Sequence, residues 1–361
     1  MIDYIKNETS TLSDTKIPLT ILTGFLGAGK TTLLNAILSD SKNGRVAVIV
    51  NEFGEAGLDH HLIEKSTDDV VLMQSGCLCC SIRGDLPKTI DRLLRKNIRN
   101  EINFERIVIE TTGLADPGPI MQTLLMDNVL ASNIRLDGVV TVADAINGTS
   151  TLEKQFEAVS QAALADLIIL SKTDIASPEQ IQNLKNQLEK INPTSKIICS
   201  INGIGLQDEI WGLNALREKS NYNEVLSWTT GLEPKVTELK NLSGLAPAKS
   251  ILKPAFNHDS KIESCSIILD NPISNTTFDN WLDTLIGVKG SDILRIKGIV
   301  FLENIEAPFV FHGVQHVFDP PVQLKNWPKK DRQSRIVVIA RNLSQFQLQR
   351  SLDMLRIQTS D

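Results

Sequence analysis

A chain of 361 residues, 42% hydrophobic, has room for about two cored domains of the soluble globular class. Its net charge of −6, from 37 Lys and Arg against 43 Asp and Glu, comes without long basic runs. That excludes a nucleic-acid footprint, and no apolar run reaches the ~18 residues of a membrane span. Five cysteines, three of them within residues 77–80, make a poor disulfide framework and suit a reducing, cytoplasmic setting.

Met1 to Lys16 is polar, lacks the apolar stretch of a secretory signal and is expected to be a disordered tail. The first apolar run, Leu19-Thr20-Ile21-Leu22, leads into Gly24-Phe25-Leu26-Gly27-Ala28-Gly29-Lys30-Thr31 and then a helix-like segment from Thr32 to Leu38. Strand, glycine loop and helix in that order are the setting of the phosphate-loop pattern G-x-x-x-x-G-K-[ST]. Glycines let several N–H groups converge on one anion, and the helix N-terminus adds its dipole. Gly24, Gly27, Ala28, Gly29, Lys30, Thr31 and Thr32 are therefore the expected phosphate cradle. Lys30 would reach the terminal phosphates and the Thr31 hydroxyl would ligate Mg²⁺.

Further short apolar runs recur at Arg45–Val50, Val70–Met73, Arg106–Ile109, Gly138–Val142, Leu167–Leu170 and Lys196–Cys199. Amphipathic helical patterns lie between most of them. Asp85-Leu86-Pro87 reads as the start of one, with Ile90, Leu93 and Leu94 on its inner face. Ser177-Pro178-Glu179 reads as the start of another, with Ile181, Leu184 and Leu188 inward. The alternation predicts an α/β fold, a doubly wound, mostly parallel sheet over residues 17–218, with ligands at the carboxyl ends of the strands. Residues 219–262 lose periodicity and read as a linker, with Val236–Leu242 as a short element inside it. Residues 263–361 read as a smaller α+β domain. Its strands are expected at Glu263–Leu269, Ile293–Leu302, Pro308–Val314 and Arg335–Ala340, and its helices at Thr276–Ile286 and Ser344–Ile357.

Three stretches carry further chemistry. In Ile107-Val108-Ile109-Glu110-Thr111-Thr112-Gly113 an acid closes a buried strand three residues before a glycine; Glu110 would support Mg²⁺ through its water shell and the Gly113 N–H would sense the γ-phosphate. Leu170-Ser171-Lys172-Thr173-Asp174 is similar to the N-K-x-D guanine box. Asp174 would accept from the N1–H and the exocyclic amine of guanine, a donor pair adenine lacks, with Lys172 along the base plane. Ser171 stands where the box has Asn, with the expected loss of a contact to the phosphate loop. Ser200, in Cys199-Ser200-Ile201-Asn202, is expected to close the base pocket, with a plain polar turn as the competing reading.

Gly76-Cys77-Leu78-Cys79-Cys80 follows an expected strand and offers up to three thiolates to Zn²⁺ or another soft divalent metal. A fourth position would stay open for a carboxylate, an imidazole or a partner's ligand, which suits hand-over of the ion. Glu55, together with Glu52, Asp59, His60 and His61, supplies the nearest candidates. Buried structural cysteines and a Cys77–Cys80 redox pair are the other readings. Leu114 follows Gly113 where Ras-like GTPases keep a water-positioning Gln, so intrinsic hydrolysis is expected to be slow.

Taken together, Thr23–Thr32, Asn51–Glu55, Gly76–Cys80, Glu110–Pro117 and Ser171–Asp174 resemble the CobW-like P-loop GTPases, over about Ile17 to Ile357. The resemblance implies a GTP-hydrolysing metallochaperone using GTP/GDP, Mg²⁺ and Zn²⁺, with Co²⁺ or Fe²⁺ as the other cargoes of the family. By the same resemblance Cys77, Cys79 and Cys80 bind metal, and Glu110 matches the glutamate this class carries where most GTPases have aspartate. Implied partners are a client metalloprotein and, on nucleotide binding, a second copy of the chain; neither nucleic acid nor membrane is expected. Many members carry a histidine-rich loop between the domains, but here the linker holds only His258, which argues against metal storage. Members serving methionine aminopeptidase carry an N-terminal Cys-Pro motif, absent from Met1–Lys16, which argues against that client. A metal-binding regulatory protein with incidental GTP turnover, and a metal-independent GTPase switch, are the readings from other classes.

Overall fold

A computed structural model describes residues 16–39, 45–50, 71–74, 78–204, 206, 209–214, 222–229, 262–324, 327, 328 and 330–356. Residues 1–15 of the expected 1–16 tail, the segment bearing Glu55, the residue Cys77 and the segment Val236–Leu242 lie outside the described residues, while Lys16 is described and donates to the Ala131 carbonyl at 2.7 Å.

The first half is a seven-stranded sheet of order β3-β2-β4-β1-β5-β6-β7, built from β1 (Ile17–Gly24), β2 (Val46–Val50), β3 (Val71–Gln74), β4 (Arg106–Glu110), β5 (Ile134–Asp144), β6 (Leu167–Ser171) and β7 (Lys196–Cys199). Every pairing is parallel. Strands buried on both faces need apolar residues at every position, which is why β2 reads Val-Ala-Val-Ile-Val with all five buried. Crossover helices cover both faces, as the doubly wound reading requires. On one face α1 (Lys30–Ser39) seats Leu33, Leu34 and Ile37 against Leu22, Val48, Val108 and Val140. On the other, α2 (Leu78–Ile98), α3 (Gly118–Met126), α4 (Asn128–Asn133) and α6 (Phe156–Leu164) pack on Leu19, Ile21, Ala47, Ile49, Ile107 and Ile109. The short α5 (Gly148–Lys154) and the longer α7 (Pro178–Ile191) complete the layer, α7 opening on a Ser177 capping box with Pro178 in its first turn.

Asp85–Pro87 proves not to be a helix start. Helix α2 begins at Leu78 and carries Pro87 inside it. Leu86, Ile90, Leu93 and Leu94 are buried as one face, so the expected stripe holds while the punctuation does not.

Within the span that reads as a linker, Tyr222–Thr229 form helix α8. Its Val225 and Trp228 pack on Ile299, Phe301, Val310 and Leu324 of the second half. That half is a six-stranded antiparallel sheet of order β11-β10-β9-β13-β8, with β12 beside β10. It is made of β8 (Ile262–Leu269), β9 (Ile293–Val300), β10 (Phe309–Val314), β11 (Val317–Phe318), β12 (Val322–Gln323) and β13 (Ser334–Arg341). Helices α9 (Asn275–Lys289) and α10 (Gln345–Asp353) cover one face, with Phe278, Trp281, Leu282 and Leu285 inward as their spacing predicts. The other face joins the first core through Leu294, Val314, Val337 and Ile339. None of the described helices is long and apolar enough to cross a membrane.

Candidate functional site

Because all seven strands run parallel, their carboxyl ends share one edge, and the chemistry-bearing residues collect there. Strand β1 ends at Gly24, whose φ of +143° and whose approach to β5 both demand glycine: a Cβ there would lie 2.3 Å from the Val142 carbonyl oxygen. Gly27 and Gly29 take φ of +71° and +98°, curling the loop into the first turn of α1. Lys30, Thr31 and Thr32 open that helix, so their N–H groups lie in its first turn, the end that favours an anion. The Lys30 ammonium donates to the Phe25 carbonyl at 3.3 Å across its own loop.

At the end of β4, beside β1, the buried Glu110 carboxylate accepts a hydrogen bond from the Thr31 hydroxyl, Oγ1 to Oε1 2.8 Å. A hydroxyl and a carboxylate at one point under the phosphate loop form the hard oxygen set that Mg²⁺ prefers, so the residues present fit the ion. Next along the chain, Thr111 Oγ1 donates to Thr23 Oγ1 at 2.8 Å and ties the two strand ends together. Gly113 follows, so near the phosphate loop that a Cβ would lie 2.6 Å from the Leu26 backbone nitrogen. Its carbonyl accepts from the Gln161 side-chain amide at 3.1 Å, and that same amide donates to the Ala115 carbonyl at 3.0 Å. Gln161 on α6 is fully buried. It holds the turn after Glu110 from behind, a role the sequence does not signal: one glutamine within a helical pattern looks like any other.

On the far side of the loop, β6 delivers the residues expected to form the guanine box. Lys172 sits in the left-handed region at φ +55° and its ammonium reaches Asp144 Oδ2 at 2.6 Å. Burial works to raise the Asp144 pKa, but Lys172 and the donors of Ile146 and Asn147 carry it below its ordinary value. Asp174 is exposed at the rim. Ser200 is buried; its N–H donates to the Leu170 carbonyl at 2.9 Å and its carbonyl accepts from Thr173 at 3.4 Å, so it braces the Lys172–Asp174 turn. The loss expected of Ser171 does not occur: its hydroxyl donates to the Ala28 carbonyl at 2.6 Å, so the shorter side chain still holds the phosphate loop. Lys30, Thr31, Glu110, Gly113, Lys172, Asp174 and Ser200 thus come together on one edge.

Cys79 and Cys80 follow the same edge. Strand β3 ends at Gln74, and α2 begins at Leu78 with Cys79 and Cys80 in its first turn. Three strand spacings separate β3 from β1, about 14 Å at about 4.8 Å each.

Comparison with known proteins agrees with this geometry. Residues 18–199 match the model of the CobW/HypB/UreG nucleotide-binding domain, and residues 262–356 match that of the cobalamin synthesis protein CobW C-terminal domain. The zinc chaperone YjiA of Escherichia coli is 31% identical over 346 residues, covering 94% of this chain and 99% of the relative. The zinc-regulated GTPase metalloprotein activator 1 of Schizosaccharomyces pombe is 34% identical over 350 residues, covering 91% of this chain and 83% of the relative. The crystal structure of Zn(II)-bound YjiA GTPase superposes with a TM-score of 0.69 at 26% identity, over 95% of this chain and 99% of that one. With a phosphate loop and a Thr31–Glu110 oxygen pair on the edge of such a sheet, the chain belongs to the CobW/HypB/UreG family of P-loop GTPases and carries the CobW C-terminal domain.

Proposed function

We propose that the protein is a GTP-hydrolysing metallochaperone that binds Zn²⁺ at Cys77, Cys79 and Cys80 and couples nucleotide state to transfer of the ion to a client metalloprotein. The single observation that supports this reading is topological: Cys79 and Cys80, after β3, and the phosphate loop, after β1, follow the same edge of one parallel sheet. The names of the two relatives, a zinc chaperone and a zinc-regulated metalloprotein activator, support Zn²⁺ as the cargo ahead of Co²⁺ or Fe²⁺. Three thiolates also match zinc's preference for sulfur, with a fourth position left for Glu55, another side chain or the receiving protein.

In the nucleotide half, Lys30 and the N–H groups from Gly24 to Thr32 take the phosphates. Lys172, Asp174 and Ser200 form the guanine end. Thr31 and Glu110 hold Mg²⁺, which when bound neutralises charge developing on the transferred phosphoryl group. Gly113 meets the γ-phosphate with its N–H while Gln161 fixes its carbonyl, so loss of that phosphate releases one end of a clamped turn. Leu114, exposed and apolar, orients no water, and slow intrinsic turnover follows. A nucleotide-dependent pairing of two chains across this edge would bring a missing group to the γ-phosphate.

The test is replacement of Cys77, Cys79 and Cys80 by Ser. The variant is expected to lose stoichiometric Zn²⁺ binding in a competition titration with a chromogenic chelator while binding GDP like the parent. Retention of stoichiometric Zn²⁺ would refute the site.

A further inference from the structure

The turn after Glu110 is held from two helices, and both are tied to the second sheet. Behind it, Gln161 on the last turn of α6 donates to the Gly113 and Ala115 carbonyls. Ahead of it, the chain passes Asp116, whose carboxylate accepts from the Gly118 N–H at 2.9 Å, straight into α3. The two helices meet there: a Cβ on Gly118 would lie 3.7 Å from the Leu164 side chain at the end of α6.

A helix leaves its last carbonyls without partners along its own backbone. In α6 the first half of the chain supplies donors to three of them. The Thr141 hydroxyl donates to the Gln161 carbonyl at 2.8 Å, and the Asn192 amide to those of Ala162 and Ala163 at 2.9 and 3.1 Å. The carbonyl of Leu164 accepts instead from Arg295 of β9, whose other terminal nitrogen pairs with Asp166. A buried guanidinium from the second sheet thus closes the helix that carries Gln161, and its charge suits the negative end of that helix. The second tie is separate. Gln122 in α3 donates to the side-chain oxygen of Gln315, which stands at φ +56° between β10 and β11.

We infer that the second domain sets the affinity of the γ-phosphate site, with Arg295 and Gln315 as positioning residues. Arg295 fixes α6 and, through Gln161, the turn at Gly113; Gln315 fixes α3, into which that turn runs. The inference rests on the reading that the Gly113 N–H meets the γ-phosphate, and it needs no metal at the cysteines. By linkage the effect is mutual, so the γ-phosphate steadies the same contacts in return.

The experiment compares Kd for GDP and for a non-hydrolysable GTP analogue, both with Mg²⁺, by displacement of a fluorescent GDP from the full chain. Arg295→Lys keeps a cation beside Asp166 and gives up the fork that also reaches Leu164. It should weaken analogue binding at least about threefold while GDP affinity changes less than about twofold. Gln161→Met should be selective in the same sense, and adding Arg295→Lys to it should change little, because the connection is already cut. A merely structural role would instead weaken both nucleotides alike and add to the effect of Gln161→Met. Gln315→Asn tolerates the left-handed backbone but is too short to reach Gln122; should the Arg295 variant fold poorly, this one should still show a selective loss of at least about twofold. A cooperative unfolding transition identifies a folded variant. Equal losses for the two nucleotides, parent-like binding of both, or additivity with Gln161→Met would each overturn the inference. Gly113→Ala then tells whether the reading of Gly113 falls with it: a selective loss keeps that reading, and parent-like binding of both nucleotides ends it.

Discussion

Thr31 and Glu110 lie 79 positions apart and meet at 2.8 Å, the contact on which the hydrolytic half of the account rests. Glu110→Gln keeps the shape of the buried side chain and removes the charge that Mg²⁺ needs. Loss of about 3 kcal/mol of transition-state stabilisation is expected, a fall in kcat of about 10²-fold or more, read by phosphate release under saturating GTP. Asp174→Asn exchanges an acceptor for a donor at the guanine N1–H; GTP affinity should fall about 10–100-fold while xanthosine triphosphate, whose base presents the complementary pattern, gains. These residues were legible because their signals are local: a glycine loop, an acid at a strand end, a lysine two before an aspartate. Ser171 and Gln161 were not, because each acts on a distant partner. Ser171 reaches Ala28, 143 positions back, and Gln161 reaches Gly113, 48 back. No spacing rule carries such contacts.

Elements show the same division. Helices α7, α9 and α10 were readable because cap and stripe agree: Ser177 and Ser344 close the capping boxes of α7 and α10, and Ser274 accepts from the Thr277 N–H at the start of α9. Helix α2 misleads because Asp85 and Pro87 look like a start, yet the stripe through Leu86, Ile90 and Leu93 holds proline inside a longer helix against its usual cost. Helix α8 hides in a polar, aperiodic stretch and is held by its contacts with the second sheet, Trp228 lying 4.7 Å beneath the Lys297 ammonium. The turn between β4 and α3 is the element on which nucleotide sensing depends. Gly113→Ala would thrust a methyl 2.6 Å from the Leu26 nitrogen, so the turn carrying the Gly113 N–H should draw back from the phosphate loop. It should weaken binding of a non-hydrolysable GTP analogue at least about tenfold while GDP affinity changes less than threefold, because only the γ-phosphate uses that N–H. Equal losses for both nucleotides would instead mean a collapsed loop.

Across the whole molecule the two sheets are locked by charges that composition alone does not reveal. Asp166, before β6, receives Arg295 at 2.5 Å and Lys297 at 2.8 Å from β9, all three almost wholly buried. Arg295 also donates to the Leu164 carbonyl, and Gln122 on α3 bonds Gln315 between β10 and β11. Burial opposes the Asp166 charge, but Arg295 and Lys297 hold its carboxyl well below the usual carboxylate range. Asp166→Asn strands two buried cations and should cost about 3–5 kcal/mol in urea unfolding. Burial, aided by Arg295 and opposed by Asp166, pulls the Lys297 pKa from 10.5 to about 7. The folded chain then binds fewer protons than the unfolded one between those values, so stability should rise with pH across that window, by at most about 1.4 kcal/mol per unit. Lys297→Met should flatten the rise between pH 7 and 9.

The seven-stranded sheet itself carries both the phosphate loop, after β1, and Cys79 and Cys80, after β3, so each of those sites should sense the other. The most direct measurement is the Zn²⁺ affinity of the full chain, taken once with GDP bound and once with a non-hydrolysable GTP analogue bound. The two affinities should differ at least about fivefold, a coupling of about 1 kcal/mol, with the same ratio returned when nucleotide is titrated with and without Zn²⁺. Equal Zn²⁺ affinities in the two nucleotide states would contradict that coupling.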